Sequence, residues 1–113
     1  MELLEYKNEN LEYTYYLKDG REIPHGLYRG WHKNGQLIYE HNYKDGKYNG
    51  LDRSWYSNGQ LELEYNYNGH KRHGLCRGWN KSGRLKFETY WIDGIKYESE
   101  EDYKESLIVN KSW

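Results

Sequence analysis

The sequence predicts an all-β fold, an antiparallel meander of repeated β-hairpins followed by a short C-terminal α-helix. First, glycine and tryptophan recur with a fixed spacing of 24 residues, which is typical of a repeat architecture. Second, Asn-Gly and Asp-Gly pairs follow one another at short intervals, and such pairs are strong hairpin signals. Third, the chain has 14 tyrosines and 5 tryptophans but no alanine, a composition that favours strands over helices.

Four columns of identical residues define the repeat. They are Gly26, Gly50 and Gly74; Trp31, Trp55 and Trp79; Gly35, Gly59 and Gly83; and Leu37, Leu61 and Leu85. Such a unit cannot bury its apolar side chains alone, so neighbouring units must pair. We predict one domain over residues 1–113, with a degenerate capping repeat at 1–25, full repeats at 26–49, 50–73 and 74–97, and a C-terminal helix and tail at 98–113.

The strands are read in order from the alternation of apolar and polar residues and from the turn sequences. Residues 11–18 alternate with a period of two, as a half-buried strand does. Residues 21–25 contain the only proline, Pro24, and are interpreted as a loop. Asn34-Gly35 is expected to form a type I′ turn, and Asp45-Gly46 turns the chain again. The predicted strands lie near residues 2–7, 10–18, 26–32, 36–44, 50–56, 60–67, 74–80 and 84–92.

The last segment changes in character and predicts a helix near residues 99–109. Ser99 precedes three acidic residues, and a hydroxyl followed by acids favours a helix start. We expect this helix to cover the last strand edge or the end of the aromatic face, since exposed edges invite aggregation.

One sheet face is expected to be aromatic and the other polar and small. Continuing the alternation through each turn places Arg29, Trp31, Tyr39 and Tyr43 in one phase. Their counterparts in the later repeats follow, and the opposite phase holds Gly30, Ser54, Gly78, Glu40, Glu64 and Glu88.

These residues carry a family resemblance. The pattern Gly26-x-Tyr28-x-x-Trp31-x-x-Asn34-Gly35-Gln36-Leu37, followed by Tyr43-x-x-Gly46-Lys47-x-x-Gly50, resembles the MORN-repeat superfamily. More narrowly, it is similar to the variant repeats of bacterial toxin–antitoxin antitoxin components and of giant-virus proteins, over about residues 8–97. The resemblance implies hairpins laid side by side in an elongated single sheet, with a binding or scaffolding role. The glycines here are sparser than in the better-known MORN consensus.

Composition restricts the function classes. The formal net charge of −1 argues against bulk attraction to nucleic acid or to anionic membranes. The single cysteine excludes an intramolecular disulfide and fits a reducing compartment. Residues 1–10 are too charged for a signal peptide. We therefore expect a cytoplasmic protein, and the codon bias implied by its composition suggests a virus, a phage or a low-GC bacterium as source; a viral protein would act in the host cytoplasm.

The candidate binding residues are the repeated arginines and aromatic residues together with one basic stretch. They are Arg29, Trp31, Tyr39, Arg53, Trp55, Tyr65, Tyr67, Arg77, Trp79, His70, Lys71, Arg72 and His73. The arginines either stack on aromatic rings and stabilise the fold, or bind an acidic partner or peptide. We favour stabilisation of the fold, because a feature that recurs in every structural repeat usually has a structural role. The basic stretch is interpreted as a solvated loop, with a nucleic-acid contact as the alternative.

Sites for chemistry are weak in this sequence. The five histidines are scattered without recognised metal-ligand spacing. Cys76 is interpreted as a plain free thiol. Glu40, Glu64 and Glu88 recur with the period, so they resemble a surface ladder rather than an acid–base pair. We expect no cofactor, no metal and no enzymatic activity.

The sequence thus predicts a non-enzymatic protein-binding module, an antitoxin-like protein or a viral inhibitor whose partner is a toxin or a host or defence protein. The alternatives are a lipid- or nucleic-acid-binding scaffold and a self-associating structural protein, a homo-oligomer.

Overall fold

The structure is a computed structural model and describes residues 1–111; the last two residues of the predicted tail lie outside this range. Ten strands form one antiparallel sheet, and a single helix follows. The strands are β1 (Leu4–Lys7), β2 (Leu11–Lys18), β3 (Arg21–Trp31), β4 (Leu37–Lys44), β5 (Lys47–Trp55), β6 (Leu61–Asn68), β7 (Lys71–Arg72), β8 (Gly74–Trp79), β9 (Leu85–Ile92) and β10 (Ile95–Tyr97), and the helix is α1 (Glu100–Lys111). The predicted all-β meander with a C-terminal helix is confirmed.

The sheet is a single open layer. The strands pair in sequence order from β1 to β10, with β7 and β8 both pairing with β6. The described part of the chain measures 44 × 40 × 15 Å, and its radius of gyration is 16.6 Å, where about 13 Å is usual for a compact chain of this length. Its accessible surface of 7810 Å² exceeds the roughly 6,600 Å² typical of this mass. Both faces of the sheet therefore keep substantial contact with solvent.

Two kinds of turn alternate along the meander. At the Asp-Gly sites both central residues have positive φ, as at Asp45 (50°) and Gly46 (81°), which is the type I′ geometry that matches strand twist. The loop after β3 differs from the type I′ turn predicted there, because in it Gly35 alone has positive φ. Its amide donates to the His32 carbonyl at 2.9 Å, and the His32 amide donates to the Gln36 carbonyl at 2.8 Å. This is the three-residue hairpin loop in which a type I turn ends at a left-handed glycine.

Residues 21–25 were predicted to be a loop, and this prediction is wrong. They form the first half of β3 and pair with β2, where Tyr15 lies opposite Pro24. The register shifts by two residues between Tyr13 and Tyr15, which marks a bulge in the strands. Equivalent shifts occur in the next repeats, where the Asn42 and Asn66 amides donate to the Leu51 and Leu75 carbonyls at 2.7 and 2.8 Å. These side chains satisfy carbonyls that the shifted ladder leaves free.

The helix begins as predicted, and it packs against the last two strands. The Ser99 hydroxyl accepts the Asp102 amide at 3.1 Å, which satisfies one free donor of the first turn. Helix α1 contacts β9 and β10, and the Tyr103 ring lies 5.4 Å from that of Tyr90. Tyr90 lies on the face of the sheet that carries the arginines, so the helix packs on that face and not on the opposite one.

Candidate functional site: two chemically distinct sheet faces

A row of alternating charges crosses one face of the sheet from β2 to β9. Residues directly opposite each other on antiparallel strands place their side chains on the same face. The register sets these seven residues in line in the order Glu12, Arg29, Glu40, Arg53, Glu64, Arg77 and Glu88. We call the side that carries this row the charged face.

Three short ion pairs connect the row. Arg29 Nε lies 2.8 Å from a Glu40 carboxylate oxygen, and Arg53 Nε lies 2.9 Å from Glu64. The other Glu64 oxygen is 2.7 Å from Arg77 Nη2, so Glu64 bridges two strands on either side of its own. Burial raises the pKa of Glu64, but hydrogen bonds from Arg77 and Arg53 and their charges lower it by more. Glu64 is therefore ionised at neutral pH and accepts a hydrogen bond from each of the two guanidinium groups.

The three repeat tryptophans share the charged face, as predicted. Trp31, Trp55 and Trp79 each follow an arginine by two positions on the same strand. In the third repeat the Arg77 guanidinium carbon lies 5.3 Å from the Trp79 ring centroid. The arginines therefore pair with glutamates and, at Arg77, also stack on an indole, in line with the fold-supporting interpretation.

Tyr39, Tyr65 and Tyr67 were predicted to share a face with the arginines and tryptophans, and this prediction is wrong. Tyr39 lies opposite Gly30, and Tyr65 and Tyr67 lie opposite Asp52 and Gly50, all on the other side of the sheet. The glutamates were misplaced for the same reason, since Glu40 lies opposite Arg29 rather than on the opposite face. Apart from the Trp–Leu pairs beside the bulges, each hairpin pairs an odd-numbered residue with an even-numbered one, so the alternation reverses from one strand to the next.

The reverse side carries a nearly continuous row of rings, and we call it the tyrosine face. Neighbouring rings are stacked, tilted or edge-on, and their centroids are 4.6 to 5.7 Å apart along the path from Tyr6 to Tyr67. The rings on this path are Tyr6, Tyr13, Tyr28, Tyr43, Tyr48 and Tyr67. Most of them are half-buried, because neighbouring rings cover their edges and no second layer formed by residues 1–111 covers their outer side. Burial raises the pKa of Tyr43, so its hydroxyl stays neutral.

Two glycines allow rings to lie flat on the tyrosine face. An added Cβ at Gly30 would come within 2.5 Å of the Tyr39 ring, and one at Gly78 within 2.3 Å of the Phe87 ring. Both glycines are buried, so the rings cover their backbone. In the middle repeat Ser54 takes the place of the glycine. The residue opposite it is Leu63, which is smaller than the aromatic residues opposite the two glycines. Ring and glycine thus form a matched pair across strands.

The basic stretch at residues 70–73 is more integrated into the sheet than a solvated loop. The His70 ring nitrogen Nδ1 accepts the Tyr48 amide at 3.0 Å, and that of His73 accepts the Asp93 amide at 3.2 Å. The Arg72 guanidinium carbon lies 4.7 Å from the Tyr65 centroid and 5.0 Å from the Trp91 centroid. Lys71 is exposed on β7. Three of the four residues are therefore engaged within the chain.

Cys76 is completely buried on the tyrosine face, and burial raises the pKa of its thiol. A buried neutral thiol is a poor nucleophile. We therefore expect Cys76 to react with a thiol-specific reagent such as DTNB only after unfolding, with a labelling rate that rises in step with the unfolded fraction in urea. The same protein in 6 M guanidinium chloride is the positive control. Rapid labelling under native conditions would contradict the buried position.

The described residues hold no group of three or more histidine, cysteine, aspartate or glutamate side chains arranged to bind a metal ion. Within residues 1–111 there is also no helix that is both long and apolar enough to cross a membrane. An open cleft of about 600 Å³ lies at the β1–β2 end of the charged face, where Trp31 and Glu12 are among its lining residues.

Comparison with known proteins gives no match. No protein family model matches the chain, and neither a curated protein nor a solved structure matches it.

Several residues of the tyrosine face escaped the sequence analysis. Tyr13, Tyr28, Tyr43 and Tyr48 were not among the candidates, although they form the centre of the ring path. The signal that could have found them is the length of the turns. A two-residue turn pairs residues three apart, so odd and even positions exchange faces on the next strand.

Proposed function

We propose that this chain is a non-enzymatic protein-interaction module that binds its partner through the tyrosine face. The supporting observation is the row of half-buried rings across an uncovered sheet face. Tyrosine is enriched at the centres of protein interfaces because it offers a large contact area with few rotatable bonds. Monomeric proteins rarely leave an extended aromatic surface without a use.

The charged face is less suited to the same role. Its arginines are already paired with glutamates at 2.7 to 2.9 Å, and helix α1 lies over one end. A partner would have to replace these internal ion pairs, and exposed or half-exposed pairs return little free energy. The candidates Arg29, Arg53 and Arg77 are therefore assigned to the fold.

The form of this function that we propose is neutralisation of a target protein in the cytoplasm, as an antitoxin-like protein or a viral inhibitor. Its support is the resemblance of the repeats to variant MORN repeats, which itself stays a prediction. The near-zero net charge argues against the lipid-binding and nucleic-acid-binding alternatives.

A photo-crosslinking experiment in cells of the source organism tests the proposal. Benzoyl-phenylalanine replaces Tyr48 at the centre of the tyrosine face or Trp55 on the charged face, and both replacements keep an aromatic side chain. We expect a discrete protein adduct from position 48 and none from position 55. Adducts from position 55 alone, or from neither position, would reject binding through the tyrosine face.

Self-association is the second candidate because the outermost strands β1 and β10 each have only one neighbour in the sheet. Exposed strand edges can pair two copies of a chain. Light scattering at several concentrations measures this directly, and a concentration-dependent dimer would favour it.

A further inference from the structure

A small pocket opens at the β2–β3 end of the tyrosine face. Its volume is about 190 Å³, and it is lined by Tyr13, Tyr15, Glu22, Pro24 and Tyr28. The Tyr13 ring stacks on Tyr28 at 4.6 Å and meets Tyr15 at 5.6 Å with an interplanar angle of 52°. Two differently oriented ring planes and a carboxylate therefore border one space.

The charge of the pocket favours a cationic occupant. Among its lining residues Glu22 is the sole ionisable carboxylate, and none is lysine, arginine or histidine. The Tyr13 hydroxyl donates to a Glu22 oxygen at 2.8 Å, which orients the carboxylate beside the rings. The hydrogen bond to Glu22 raises the pKa of Tyr13 to about 12, so this hydroxyl remains a donor at neutral pH. Aromatic faces attract cations through the ring quadrupole.

The same chain already holds a cation in the corresponding place of a later repeat. Pro24, Tyr48 and Arg72 occupy equivalent positions, each opposite a tyrosine of the preceding strand: Tyr15, Tyr43 and Tyr67. In the repeat at residues 50–73 the Arg72 guanidinium fills the space between two rings. In the repeat at residues 26–49 the Tyr48 ring fills it. In the capping repeat at residues 1–25 the short Pro24 side chain leaves a cavity.

We propose that this pocket, the Glu22 pocket, receives an arginine side chain of the protein partner. The guanidinium would lie against the tyrosine rings with Glu22 as its counter-charge. The inference rests on the proposed function and gives the partner a chemical feature, an exposed arginine at the contact.

The test uses N-acetyl-arginine amide as the probe, and N-acetyl-citrulline amide as its neutral near-isostere. Both are titrated into the full chain with ¹³C-labelled tyrosine rings, observed by NMR. We expect the arginine probe to bind in the millimolar range, to shift the resonances of Tyr13, Tyr15 and Tyr28, and to bind about two- to fivefold more tightly than citrulline, the difference that a partly exposed cation–π contact provides.

Two charge-neutralising variants make the test specific. Glu22→Gln should weaken binding of the arginine probe and bring it close to that of citrulline, while Glu88→Gln on the charged face should leave it unchanged. Both positions are exposed, so neither change is expected to unfold the chain. A fold check by the dispersion of the same tyrosine resonances accompanies each titration.

Three results would overturn the inference. They are equal binding of arginine and citrulline, shifts centred on Tyr65 instead of the pocket, and no shifts at 50 mM probe. The two proposals fail separately: a partner adduct at position 48 without arginine binding would retain the interaction module and reject the pocket. Arginine binding without any partner adduct would retain the pocket and reject the module.

Discussion

Replacing Gly78 with alanine should lower the free energy of unfolding by about 1–3 kcal/mol, the usual range for an overpacked site. The added Cβ would lie 2.3 Å from the Phe87 ring, which must move away from the sheet. The backbone at Gly78 is not in the positive-φ region, so the cost is steric and comes from the ring. Urea denaturation followed by circular dichroism measures the change.

A double-mutant cycle tests whether glycine and ring act as a pair. The double variant Gly78→Ala/Phe87→Leu replaces the ring with an aliphatic side chain. It thereby recreates the combination of a small residue and a leucine found at Ser54 and Leu63. We expect the double variant to be more stable than the sum of the two single changes by about 0.5–2 kcal/mol. Ser54→Ala is the matched control, because this position already carries a Cβ and its buried hydroxyl has no hydrogen-bond partner. Additive effects would show that the ring does not depend on the glycine.

Replacing Glu64 with glutamine should also destabilise the sheet, by about 1–2 kcal/mol. The carboxylate bridges Arg53 and Arg77, and hydrogen bonds to charged groups contribute about 1.5–3 kcal/mol each when well buried. The lower value applies because the arginine side chains are 35% and 36% exposed and water compensates part of the loss. The matched control is Glu88→Gln at the end of the same row, where the carboxylate is exposed and accepts a hydrogen bond from Tyr90. A larger loss at Glu88 than at Glu64 would contradict the bridging role.

The same carboxylate predicts how stability depends on pH. Because the pKa of Glu64 is lowered in the folded state from 4.5, its contribution is fully present above about pH 4.5 and is lost as the pH falls through the folded-state value. We expect the unmodified chain to lose stability in this range more steeply than Glu64→Gln. Equal slopes in chemical denaturation at pH 3 to 6 would show that Glu64 does not carry this dependence.

The sequence predicts local structure well here because local rules determine it. Both residues of Asp45-Gly46 can adopt positive φ, so the turn and the strands it joins follow from a few neighbouring residues. The 24-residue period likewise reappears in the register, where Arg29, Arg53 and Arg77 each face the glutamate eleven positions later.

The faces could not be obtained by extending one alternation through the turns. They depend on how many residues each turn contains and on bulges such as the shift between Gly30 and Trp31. Arg72 illustrates a further limit. Arg72 stacks on Trp91, which lies on another strand and much later in the sequence. The spacing of residues within one segment does not reveal this contact, and for that reason Arg72 was predicted to lie in a loop.

Each repeat contributes one positive and one negative side chain to the row on the charged face, and this has a consequence for the number of repeats. Every 24-residue unit supplies one arginine and one glutamate to the row, so units can be duplicated or lost without leaving an unmatched charge. A chain without residues 50–73 would set Arg77 against Glu40, the same combination that Arg53 and Glu40 form now. Duplication or loss of a repeat could therefore lengthen or shorten this sheet, and with it the area of ring surface, while the alternation of charges in the row and the strand register are kept.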